Sequence, residues 1–168
     1  MSLWNSLNLS ALSIGVVLTF IAIVGETVVL CSDTATFNHV CELSLNTWGI
    51  TSAGYTAVKA VDGGALLVDT LKICTVGQFI FSFLGWMAFV YMQEEIGAYL
   101  TAVGHVFGWI LIIAVAVYTS SVTEIIDSLF AADYSAETFL YGNAMYSTIV
   151  ATCLQLVAFV SIMWKLYM

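Results

Sequence analysis

The sequence predicts an all-α membrane protein: a four-transmembrane-helix bundle with a small extramembrane β-hairpin or sheet cap drawn from its first loop. Three observations predict it. Of the 168 residues, 61% are hydrophobic and only 8% are charged, with a mean hydropathy of +1.02, whereas a soluble chain carries roughly 25% charged residues. Four apolar runs each approach the about 20 residues needed to cross a bilayer. Only one long stretch, Cys31 to Cys74, is not built for lipid, and it holds three cysteines, a Trp-Gly pair and two of the three lysines.

Charge narrows the function classes. The net charge of −8 comes from eleven acids against three lysines, with no arginine. Nucleic acid is excluded as a partner, because phosphate binding needs clustered Lys and Arg. Docking on anionic headgroups is disfavoured for the same reason. The start, MSLWNSLNLSALSIGVVLTF, lacks the basic n-region of a secretory signal and reads as a retained first span.

The first span covers about residues 9–31, long enough to cross with some tilt. Glu26 falls in its last two turns. An acid there is a candidate functional group if it faces the bundle, and an interfacial snorkelling residue if it reaches the surface. The outer loop of about residues 32–69 follows, where Thr34–Val40 and Cys41–Trp48 alternate as a short hairpin would. The second span covers about residues 70–92, with Trp86 and Tyr91 as interfacial anchors. Gln93, Glu94 and Glu95 then leave so short a link that spans two and three are antiparallel neighbours.

Span three covers about residues 97–119. Gly97, Thr101, Gly104 and Gly108 recur on one face, and Gly104 to Gly108 is a G-x-x-x-G pair that admits a close neighbouring backbone. Packing inside the bundle is the favoured partner for that face, with homodimerisation as the sharper reading. Beyond Thr119, Val122, Ile125, Ile126, Leu129 and Phe130 form an amphipathic pattern with Glu124 and Asp127 between them. No Gly or Pro intervenes, so span three is expected to continue out of the membrane as a long helix through the second outer loop, about residues 120–138. Span four covers about residues 139–164 and ends in Trp164, Lys165 and Tyr167, an interfacial anchor.

Lys165 and the amino terminus favour both termini inside, whereas Lys59 and Lys72 oppose it from a long loop that weighs less. Cys31, Cys41 and Cys74 are read as lying on one side, and paired cysteines persist only in an oxidising compartment, so the first loop is placed outside. The leading pairing is Cys31 with Cys41; Cys41 with Cys74, and free thiols, stay open. Cys153 reads as a small packing residue of span four. The expected location is the cell surface with cytoplasmic termini, with an organellar membrane as the alternative.

The plan of span, long cysteine-containing loop with Trp-Gly, span, short turn, span, shorter loop and span resembles the amastins and the wider claudin-like set. Cys41, Leu43, Leu45, Trp48 and Gly49 resemble the amastin loop pattern, and YGNAMYSTIVATCLQLVAFVSIM is similar to the amastin last span. The resemblance implies a four-helix bundle with a small outer sheet and a surface or membrane-organising role.

No chemistry-bearing motif argues otherwise. His39 and His105 are too far apart in this topology to share a metal or haem, and no nucleophile or phosphate-loop motif is present, so no cofactor and no metal is expected. His105 reads as a packing residue with a hydrogen bond, and Glu94 and Glu95 as a solvated turn. The expected function is a non-enzymatic surface or scaffold protein, contacting partners through Trp48, Glu124 and Asp127. The alternative is an accessory or pore-forming subunit of an oligomeric assembly. The partners implied are membrane lipids and either other proteins or further copies of this chain.

Overall fold

The computed structural model describes residues 3–33, 39–46, 49–52, 55–56, 64–91, 93–130 and 138–167. Four helices dominate it: α1 (Leu3–Val24), α2 (Gly64–Val90), α3 (Glu94–Phe130) and α4 (Asn143–Tyr167). Each contains a stretch long and apolar enough to cross a membrane: Asn5–Val24, Asp69–Val90, Glu94–Val117 and Asn143–Tyr167. Each helix packs against the next in the ring α1–α2–α3–α4, most extensively α2 against α3.

The bundle is apolar outside and partly polar inside. Val17, Phe20, Val106, Ile113, Val157 and Val160 face outward, each at least half exposed, while Asn8, Thr19, Gln78, Ser82, Thr101, Thr152 and Gln155 are buried. A water-soluble bundle would sort these residues the other way. In lipid the arrangement is favourable, because tails solvate the large apolar side chains and polar groups must find partners within the protein. Many hydroxyls do so on their own helix: Ser13 donates to Leu9 O (2.7 Å), Thr19 to Val16 O (2.9 Å) and Thr101 to Gly97 O (2.7 Å).

At the end of the bundle away from the chain termini stand β1 (Glu26–Asp33), β2 (His39–Asn46), β3 (Gly49–Ser52), β4 (Tyr55–Thr56) and β5 (Thr138–Tyr141). They form one antiparallel sheet in the order β4-β3-β2-β1-β5. Strand β5 comes from the second loop and pairs with β1, from Val28 opposite Tyr141 to Cys31 opposite Thr138.

Several sequence boundaries are corrected. The first span does not reach Cys31: α1 ends at Val24, and Gly25 accepts the turn, its N–H bonding Ile21 O at 2.8 Å. A side chain at Gly25 would meet Asn143 Oδ1 at 2.6 Å and Ile21 O at 2.9 Å, so the chain leaves the helix where only glycine fits. Glu26 therefore opens a strand and is not inside the membrane helix. The hairpin expected from Thr34–Val40 and Cys41–Trp48 is also replaced, since Val40 and Cys41 are consecutive residues of β2. Span four starts at Asn143, because Phe139 and Leu140 are paired in β5. Helix α3 does run unbroken for 37 residues, consistent with its lack of a helix breaker past Gly108.

Candidate functional site

Four of the buried polar side chains, Gln78, Ser82, Thr152 and Gln155, meet one another in the membrane-spanning part. Gln78 on α2 is fully buried, and Gln155 and Thr152 on α4 are 2% and 1% exposed. Gln78 Nε2 donates to Thr152 Oγ1 at 3.1 Å and to Gln155 Oε1 at 3.3 Å, bridging helices that are diagonal in the ring. Gln155 Nε2 donates to Ser82 Oγ, and Ser82 Oγ donates to Gln78 O one turn below it on α2. Thr152 Oγ1 spends its proton on Thr148 O at 2.7 Å.

Why the centre closes here follows from the glycines of α3. A Cβ on Gly108 would collide with Thr152 Oγ1 and come within 2.6 Å of Gln78 Nε2. On Gly104 it would touch Ser82 Oγ at 3.3 Å, and on Gly97 it would meet Gly85 O at 3.0 Å. The bare face of α3 thus lets α2 approach and leaves room for the glutamine bridge. The neighbours of Gly97, Gly104 and Gly108 are α2 and α4 of the same chain.

His105 lies beside this cluster. Trp109 Nε1 donates to its Nε2 at 3.0 Å, so that nitrogen is an acceptor and Nδ1 carries the proton given to Thr152 O at 3.0 Å. The imidazole clips α3 to α4, and its ring meets Trp109 edge-on, 6.1 Å between centroids.

At the end of the bundle holding both termini, Lys165 Nζ donates to Glu94 Oε2 at 2.6 Å, Glu94 Oε1 at 2.7 Å and Asn5 Oδ1 at 2.9 Å. One lysine therefore ties α4 to α1 and to the α2–α3 turn. Tyr167 adds a longer contact to Glu95, 3.4 Å. The acidic turn is not simply solvated, and Lys165 is more than an interfacial anchor. Between this clamp and the polar centre, Leu12, Phe89, Ala98, Ala158 and Ile162 form a dry cluster.

The cysteines divide. Cys74 is a free thiol buried well inside α2, not at the sheet end, which removes it as a partner for Cys41. Cys153 is exposed on the outside of α4 and does not pack between helices. Cys31 and Cys41 are register partners across β1 and β2, next to a bulge after Leu30; their side chains lie outside the described part. Trp48 lies outside the described residues altogether. Glu124 and Asp127 lie on the last turns of α3, and their side chains, like that of Glu26, are outside the described part.

Sequence reasoning passed over Gln78 and Gln155. Their signal was present: each is an amide in an apolar span, with Ser82 four residues after Gln78, and Thr152 and Thr148 three and seven residues before Gln155. That spacing places each set on one helix face. Among the described residues, no group of three His, Cys, Asp or Glu side chains converges to hold a metal ion. Compared with known proteins, the chain matches no family model and no curated protein.

Proposed function

We propose that this chain is a non-enzymatic integral membrane protein that organises partners through the end of the molecule built from its two loops. One observation supports the reading most: strand β5 of the second loop lies beside β1 of the first, so both loops contribute to a single surface. A bundle tied together at mid-depth and clamped at the opposite end is a firm base for such a surface. Trp48, in the connection between β2 and β3, and Glu124 and Asp127, in the last turns of α3, are the residues assigned to partner contact. Aromatic anchors within a polar rim are what protein interfaces enrich. The resemblance of the sequence layout to amastin-like and claudin-like proteins supports the same reading.

The reading includes a covalent staple. Cys31 and Cys41 occupy facing positions of adjacent strands, and a bond between them would close a short loop worth about 2–3 kcal/mol. Non-reducing peptide mapping of the mature chain is expected to recover the Cys31–Cys41 pair; two free thiols would contradict it and remove the argument for an oxidising side.

The test of function is co-purification in mild detergent. Trp48→Ala, and separately Glu124→Lys with Asp127→Lys, are expected to lose partners while the bundle stays folded. If those variants keep their partners and only substitutions of the outward-facing Val106 or Val157 lose them, the contacts run through the membrane and the chain is a subunit of a larger assembly.

A further inference from the structure

At the polar centre one acceptor has no donor. Gln78 Oε1 is buried and makes no hydrogen bond, a costly condition in a low-dielectric interior. The surrounding donors are committed elsewhere. Gln78 Nε2 uses two partners, Thr152 Oγ1 gives its proton to Thr148 O, and Ser82 Oγ gives its proton to Gln78 O. Only the second proton of Gln155 Nε2 is left over in the cluster.

A separate observation concerns α1. Gly15 belongs to its buried face with Leu12 and Thr19, yet a Cβ built on Gly15 would meet no atom within 4 Å. Gly77, Gly85, Gly97, Gly104 and Gly108 each meet a neighbour inside that distance. The level of this opening follows from contacts above and below it. Ser161 donates to Asn8, and Gly25 abuts Asn143 and Ala144, so Gly15 is level with Leu154 and Gln155 on α4. Trp86 donates to Ser13 at 2.9 Å, and Phe20 meets Phe79, so Gly15 is level with the Ser82–Gly85 turn of α2. The space is therefore on the buried face of α1 at the level of Ser82 and Gln155.

We propose that the space beside Gly15 is a hydration site, in which water donates to Gln78 Oε1 and accepts the free proton of Gln155 Nε2. A buried water needs room and two to four polar partners, and the opening and the two amides provide both. The dry cluster of Leu12, Phe89, Ala98, Ala158 and Ile162 closes the site toward the termini. The assignment is independent of what the loops bind.

Water contacts measured by NMR on the full chain in lipid nanodiscs test it. The side-chain amide protons of Gln78 and Gln155 are expected to show direct cross-relaxation with long-lived water, while the methyls of Leu12 and Ala158 show none. Gly15→Val is expected to abolish the glutamine cross-peaks. Gly15→Ala, which keeps the helix if valine does not, is expected to at least halve them. Dry glutamines in the unmodified chain overturn the site, and cross-peaks undiminished in Gly15→Ala overturn its place beside α1.

Discussion

The interior of the bundle has two regions held by different forces. Toward the termini, Leu12, Phe89, Ala98, Ala158 and Ile162 make a dry contact with Leu9, Trp86, Phe159 and Met163 around it. Nearer the sheet, Gln78, Ser82, Thr152 and Gln155 are joined by hydrogen bonds. In water the first region would dominate through the hydrophobic effect. In lipid that drive between helices vanishes, and what remains is the fit of side chains and the hydrogen bonds between them. The dry region is thus a matter of shape, and the polar region adds direction: its donors and acceptors bring α2 and α4 together in one register across the diagonal.

Four measurements would break or sharpen this contrast, each by unfolding in detergent. The largest effect is expected from Gly108→Leu, where the new side chain would displace both Thr152 and Gln78; overpacking of this kind costs about 3 kcal/mol. A stability equal to that of the parent chain would show that the α3 face is not closely packed. Next is Ile162→Ala in the dry cluster, where Ile162 is fully buried and the loss is expected to be about 2 kcal/mol.

Gln78→Leu should cost less, within about 1 kcal/mol, because interhelical hydrogen bonds in membranes average well below their strength in apolar solvent. The substitution also removes a buried acceptor that has no protein partner. If Gln78→Leu proved more damaging than Ile162→Ala, the polar region would be the main fastener and the contrast would reverse. The smallest effect belongs to Lys165→Met. Its ion pair with Glu94 is partly exposed, with side chains 35% and 21% accessible, so at most about 1 kcal/mol is expected. Raising the salt concentration should shrink that difference; a loss that ignores salt would mean the lysine acts through packing of its stem.

Much of the architecture was legible in the sequence. Apolar run length locates four helices, the brief Gln93–Glu95 link places α2 beside α3, and the glycine spacing in α3 identifies the face on which α2 packs. What was not legible has physical causes. Thr27, Val28, Val29 and Leu30 resume the apolar run of α1 after only Gly25 and Glu26, and a short apolar run does not by itself distinguish helix from strand. Gly25 followed by Glu26 was the available stop signal. Phe139 and Leu140 raised the same ambiguity at the start of span four. The Lys165–Glu94 clamp and the glutamine bridge join positions far apart in sequence, so only the assembled ring reveals them. Cys74 and Cys153 exchange their expected surroundings because burial depends on helix rotation, which hydropathy does not report.

The central claim is that partners are met at the sheet end and not along the bundle. Site-specific photo-crosslinking in the native membrane tests it most directly, with the crosslinker placed at Trp48 or Thr51 and, for comparison, at Val106 or Val157, which are 55% and 61% exposed on the outside of the helices. Discrete protein adducts are expected from the first pair and only lipid adducts from the second. Protein adducts confined to Val106 and Val157 would contradict the claim and move the interface into the membrane.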